Sequence, residues 1–274
     1  MTFTSQLTTF TSQQIQKFLP LGGPAINRAP VIVLGHQKSG TSVIAALLAK
    51  STGSTATLDF FWKNNHSLPF FRAKLHSGEL SLSQLLRKNR QYLSADIIKE
   101  PELTYLYEQL SVPFPQATYV FVVREPKATL KSVLDRLKLP GDLSELSAHQ
   151  YEQINPLSGW LPALQGEAPA TLGENYIERL AHRWKKAAQT YLDHHEQMAL
   201  IRYEDFLADK QGAIHQLAHS VGLTVAEDIS EDVNRQFQRK GNHHVAITDF
   251  FGSENAATVD NICREEALQF GYEV

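Results

Sequence analysis

The chain has 274 residues, with 26 Lys+Arg against 29 Asp+Glu and a formal net charge of -3. That length can bury one large core, and the charge balance excludes the strongly basic class of general nucleic-acid binders, while a local basic cluster can still hold a small anion. A single cysteine, Cys263, excludes an intramolecular disulfide framework and fits a reducing cytoplasm. No apolar run approaches the roughly 18–20 residues of a membrane span. The polar start, MTFTSQLTTFTSQQIQKFLP, lacks the basic and apolar regions of a signal peptide. The expectation is a soluble, cytoplasmic protein with no membrane or nucleic-acid partner.

Residues 1–29 form a polar lead-in that ends at Pro30, and residues 30–274 are expected to make one α/β domain. Val31 to Leu34 is a short, wholly apolar, largely β-branched run, which suits a central parallel strand covered on both faces. GHQKSGTS follows at Gly35 to Ser42. Next comes SVIAALLAK, with Val43, Ile44, Leu47 and Leu48 at helical spacing and Gly53 as its stop. Asp96 to Lys99 predicts a second strand. Tyr119 to Val123 predicts a third, followed by Arg124 and a helix from Lys127 to Lys138. The stretch 140–172 carries Pro140, Pro156, Pro162 and Pro169 with several glycines, and reads as a loop or lid insertion. Asn175 to His195 is strongly amphipathic, with Ile177, Leu180, Trp184, Ala188 and Tyr191 on one face. A fourth strand, Met198 to Arg202, precedes Tyr203, Glu204 and Asp205. A helix from Ala213 to Val221 ends at Gly222, and a last one, Asn261 to Phe270, ends at Gly271.

Strands alternating with helices predict a parallel sheet with helices on both faces, a P-loop-like nucleotide-binding fold. In such sheets ligands bind outside the carboxyl ends of the strands. Lys38, Lys99 and Arg124 all fall at strand ends, so the three converge on one anion site. GHQKSGTS is close to the phosphate loop GxxxxGK[ST] but departs from it. Gly35 and Gly40 keep the spacing, Thr41 stands where the lysine belongs, and the lysine has moved inside the loop to Lys38. The loop amides and the positive end of the following helix still suit a phosphate, and Thr41 and Ser42 add hydroxyl donors.

The segment Gln37-Lys38-Ser39-Gly40-Thr41-Ser42 resembles the 5'-phosphosulfate loop PKSGTT of the sulfotransferase family, with glutamine for proline and serine for the last threonine. FVVREPKATLKSVLDRL resembles the family's 3'-phosphate motif, with Arg124 and Ser132 on the matching positions. Arg124 would offer a planar fork of donors; taken alone, it could equally pair with Glu125, and Ser132 could be an ordinary exposed helix residue. IRYEDFLADKQGAIHQLAHSVGL resembles the family's RYEDL segment. Gln238-Arg239-Lys240-Gly241-Asn242 resembles the RKG element that closes over the 3'-phosphate, with His243 and His244 where the family carries a tryptophan. The resemblance implies sulfuryl transfer from PAPS, leaving PAP, to a hydroxyl or amine of a small-molecule or glycan acceptor. It implies no metal, and the pairs His194-His195 and His243-His244 diverge on regular elements.

Such a transfer needs cations to neutralise charge on the departing oxygens and a base for the acceptor proton. Lys38 is expected to stabilise the leaving phosphate oxygen. Lys99, in IIKEP, resembles a strand-end lysine that approaches the sulfuryl group in relatives; the alternative is a solvated strand-end lysine. Some relatives place a histidine base two residues further on, where this chain has Pro101. Others carry a glutamate base at a distance from the loop lysine where this chain has Asp59, beside Phe60, Phe61 and Trp62. Apolar surroundings would favour a more basic carboxylate; the alternative for Asp59 is a helix N-cap. His66, His76 and Glu100 remain as other bases. Phe70 and Phe71 join the aromatic residues that could line an acceptor pocket or simply fill the core. Two rival functions stay open: a magnesium-dependent small-molecule or nucleotide kinase, and a PAP-binding protein without turnover.

Overall fold

The computed structural model describes residues 25–63, 74–75, 78–155, 159–168, 170–234 and 245–273. Five strands form one sheet: β1 (Val31–Gly35), β2 (Ala56–Leu58), β3 (Ile97–Lys99), β4 (Thr118–Val123) and β5 (Met198–Arg202). Their order is β2-β3-β1-β4-β5, and every pairing is parallel. β1 is central because all five of its residues are buried, a position that only a strand without polar side chains tolerates on both faces. Its side chains alternate. Val31 and Val33 face α1 (Thr41–Ser51), α8 (Tyr203–Ala208) and α9 (Lys210–Ser220) through Ile44, Phe206 and Ile214. Ile32 and Leu34 face the second layer, made of α4 (Pro126–Leu137), α7 (Tyr176–His194) and α10 (Ile247–Gln269), through Leu134, Trp184 and Val259. The fold is therefore α/β with helices on both faces. From β1 the chain runs to β2 and β3 on one side of it and then crosses to β4 and β5 on the other, so a crevice opens over the carboxyl end of β1.

Differences from the sequence-based expectations have identifiable causes. β2 has only three residues, TATL supplies no apolar run to announce it, and pairing with β3 from Ala56↔Ile97 to Leu58↔Lys99 holds it. The short helix α2 (Phe60–Lys63) begins directly after Asp59, where the N-cap alternative would start one, and the short helix α3 (Leu82–Lys88), not among the expected elements, opens on a capping box in which Ser81 and Gln84 satisfy each other's backbone amides. The last helix begins at Ile247 rather than Asn261 and is interrupted at Gly252, at φ 65. Its first half packs on the core through Ile247, Phe250, Phe251 and Val259, but Gly252 and the buried Asn255 interrupt that stripe; Asn255 donates to the Gly141 and Leu143 carbonyls at 2.7 and 2.9 Å. Within 140–172 lie two short helices, α5 (Ala148–Glu152) and α6 (Trp160–Gln165). The segment is fastened to α7, where Tyr176 donates to the Pro140 carbonyl at 2.9 Å and Arg179 to the Leu164 carbonyl at 2.8 Å.

β1 ends on Gly35 at φ 133, where a Cβ would collide with the Val122 carbonyl of β4. Gly35→Ala should therefore destabilise the protein by about 2–5 kcal/mol, combining backbone strain with overpacking. Urea denaturation checks this.

Candidate functional site

The loop after β1 turns through two left-handed residues, Lys38 at φ 74 and Gly40 at φ 94. A Cβ on Gly40 would collide with the Tyr203 ring, so only glycine lets the loop backbone lie this close to α8. A lysine at positive φ is strained by about 1–2 kcal/mol, and such strain persists where surrounding contacts over-determine it. α1 then starts at Thr41 with no side-chain cap and no acidic residue in its first turn, which leaves its positive end open to an anion. Ser39 is fully buried, and its hydroxyl makes no hydrogen bond. Thr41 is buried and Ser42 half-buried at the helix start.

Cations from three other elements face Lys38. Burial and the charges of Arg136, Arg124 and Lys99 push its ammonium down to about 8, with Asp59 partly offsetting them. Arg124, at the end of β4, donates to the Lys38 carbonyl at 3.3 Å and lies 4.8 Å from the centre of the Tyr203 ring. Its own carbonyl accepts from the Trp184 indole at 3.0 Å. Glu125 does not neutralise it: that carboxylate caps α4 by accepting the Lys127 and Ala128 amides. Ser132 sits half-buried on α4, one turn before Arg136. Arg136 and Tyr203 also border the loop, beyond the residues expected from sequence. The spacing from Ser132 to Arg136 puts both on one helix face, so Arg136 is legible in the sequence.

Lys99 is only 3 % exposed, so it is not a solvated strand-end lysine. Its ammonium donates to the Asp59 carboxylate at 2.6 Å, and the Asp59 amide donates to the Lys99 carbonyl at 2.9 Å. Asp59 holds a left-handed φ of 54. Phe60 and Phe61 stack at 4.6 Å and belong to the core. The Asp59 side chain is 43 % exposed, so its partner is the lysine and not an apolar wall. Glu100 is buried and turned inward, accepting the Phe61 and Glu102 amides at 3.1 and 3.3 Å. His66, His76, Phe70, Phe71, Arg239, Lys240, Gly241, His243 and His244 lie outside the described residues, and Trp62 is described in its backbone only.

Beneath the loop is a buried polar layer. Glu102 accepts from Arg183 of α7 at 2.6 Å and from the Gln37 amide at 2.7 Å. Arg183 also lies over the Tyr105 ring at 4.1 Å. Burial opposes its charge, but Glu102 and Tyr105 outweigh burial and hold it above the ordinary arginine value. His36 is pushed down to about 3 by burial and by Arg183. It is therefore neutral, and its Nδ1 donates to the Gln37 carbonyl at 2.6 Å.

A parallel α/β sheet with a phosphate-type loop over its central strand and cations at three strand ends defines a P-loop-like anion-binding fold. The chain belongs to the sulfotransferase family, matching its sulfotransferase domain over residues 28–245, and that family transfers sulfuryl groups. Its fold is similar to that of the sulfotransferase STF9 from Mycobacterium avium, at 12% identity over 91% of this chain and 78% of that one, with a TM-score of 0.57. It is also similar to mouse sulfotransferase SULT7A1 complexed with PAP, at 14% identity over 89% and 86%, with a TM-score of 0.52. No protein of curated function matches the sequence. Among the described residues no helix is long and apolar enough to cross a membrane, and no three His, Cys, Asp or Glu side chains cluster as metal ligands.

Glu102→Ala would leave the Arg183 guanidinium, 2 % exposed, without this carboxylate. Breaking a buried pair from one side costs about 3–5 kcal/mol, and a urea melt should show a loss of that size.

Proposed function

We propose that this chain is a PAPS-dependent sulfotransferase acting on a hydroxyl or amine of a small-molecule or glycan acceptor. One observation carries the reading: Lys38, Lys99 and Arg124 stand at the carboxyl ends of adjacent strands, around an uncapped helix start. The residues fit a nucleotide with two separate phosphates. Lys38, Ser39, Gly40, Thr41 and Ser42 would hold the 5' side, where the buried Ser39 hydroxyl still has a bond to give and Gly40 admits the backbone. Arg124 and Ser132 would hold the 3'-phosphate, with Arg239, Lys240 and Gly241 closing over it.

PAPS supplies an electrophilic sulfuryl group on a stable leaving phosphate. Lys38 neutralises the charge that builds on that phosphate oxygen, and Lys99 bonds the sulfuryl oxygens. Asp59 accepts the acceptor proton while the new oxygen–sulfur or nitrogen–sulfur bond forms and the old sulfur–oxygen bond breaks. Asp59 is already hydrogen-bonded to Lys99 through one oxygen. The acceptor therefore uses the other oxygen, and protonation of Asp59 releases Lys99 toward the sulfuryl group.

PAP at 100 times its dissociation constant should stabilise the protein by about 2.7 kcal/mol; no thermal shift at millimolar PAP, with folded protein, sinks the reading. The pH dependence has a defined sign. The charged form of Lys38 binds the anion and predominates below about pH 8, so PAP affinity should fall about tenfold from pH 7 to pH 9. Lys38→Arg, charged throughout, should flatten that decline in calorimetric titrations.

Asp59→Asn keeps the shape but removes the proton-accepting charge. Turnover of radiolabelled PAPS with a responsive acceptor should fall about 100- to 10,000-fold at nearly unchanged PAP affinity. Retained turnover in that variant, with loss in His66→Ala or His76→Ala, would move the base to one of those histidines.

A further inference from the structure

Resting on the nucleotide-site reading above, we infer that Gln37, Glu102 and Arg183 form a buried tether that fixes the loop bearing Lys38, making Gln37 and Glu102 positioning residues for nucleotide binding. The tether runs from the scaffold outward. Arg183 is anchored in α7, against Tyr105, whose hydroxyl donates to the Arg183 carbonyl at 3.3 Å. Its guanidinium holds the Glu102 carboxylate at 2.6 Å, and the same carboxylate oxygen takes the Gln37 side-chain amide at 2.7 Å. The Gln37 carbonyl is in turn fixed by the neutral His36 ring at 2.6 Å. Gln37 is thus held at both its side chain and its backbone, next to the strained, left-handed Lys38.

The neighbouring residue of α7 gives the tether a second consequence. Trp184 donates to the Arg124 carbonyl at 3.0 Å, so consecutive residues of one helix hold the loop and the end of β4. Arg183 and Trp184 therefore set the distance between the two proposed phosphate sites. A charge-assisted bond to an anchored carboxylate is stronger and more directional than a neutral one, and misplacing a binding group by about 1 Å can cost about 100-fold.

The test uses the full chain. Gln37→Ala should keep the wild-type melting temperature within a few degrees, because Gln37 is half-buried and Glu102 retains Arg183. It should weaken PAP binding about 10- to 100-fold, and that loss should vanish when Lys38 is already alanine, since the tether acts through Lys38. Gln37→Glu, which sets two carboxylates together, should weaken binding further, and adding Glu102→Gln should restore much of it. A second readout needs no nucleotide. The titration midpoint of Lys38, followed by NMR of its isotope-labelled amine in the unliganded protein, should move in Gln37→Ala toward the ordinary lysine value. Wild-type PAP affinity in Gln37→Ala, or an equal loss with and without Lys38, overturns the inference. If PAP fails to bind even the wild type, the nucleotide reading has failed on its own, and an unmoved Lys38 midpoint would then overturn the tether as well.

Discussion

Lys38, Lys99, Arg124 and Arg136 repel one another at the carboxyl edge of the sheet, in a setting from which much of the water has been removed. Burial first, and then the charges of Arg136, Arg124 and Lys99, drive the Lys38 ammonium down to about 8. Two of these cations are held by neighbouring groups. Lys99 has the Asp59 carboxylate, and Arg124 has the Lys38 carbonyl and the Tyr203 ring.

The surrounding fold supplies rigidity where charge must be held at close quarters. Gly35 lets β1 end against β4, and Gly40 lets the loop approach Tyr203. The buried Glu102–Arg183 pair sits directly below. A buried pair of this kind is weak grounds for net stability, because desolvation offsets much of the attraction. Its value here is geometric: it joins the 3₁₀ helix Pro101–Gln109, α7 and the loop into one unit.

Asp59 and Lys99 illustrate how one contact constrains two roles. They come together because β2 and β3 pair in a register that sets Leu58 beside Lys99, and the chain then turns through a left-handed Asp59. In the proposed transfer, Asp59 as base would give up charge while Lys99 turned to the sulfuryl group. The two events are coupled through a single 2.6 Å bond. Glu100, one residue along, has its oxygens committed to backbone amides and plays a capping part.

The sequence by itself determined β1, its loop, α1, and the placement of Lys38, Lys99 and Arg124 at strand ends. These follow from local rules: an unbroken apolar run, two glycines at fixed spacing, and a switch from strand to helix periodicity. Tertiary structure decided β2, whose three residues pair with β3 and pack on the core beside α1, and the first half of α10, whose apolar stripe is interrupted at Gly252 and at Asn255, which instead binds the Gly141 carbonyl. It also decided which charges meet. Glu102 and Arg183 are 81 residues apart, and Lys99 and Asp59 are 40 apart. Partners at such separations are chosen by how helices and strands pack, and no local pattern of residues encodes that distance.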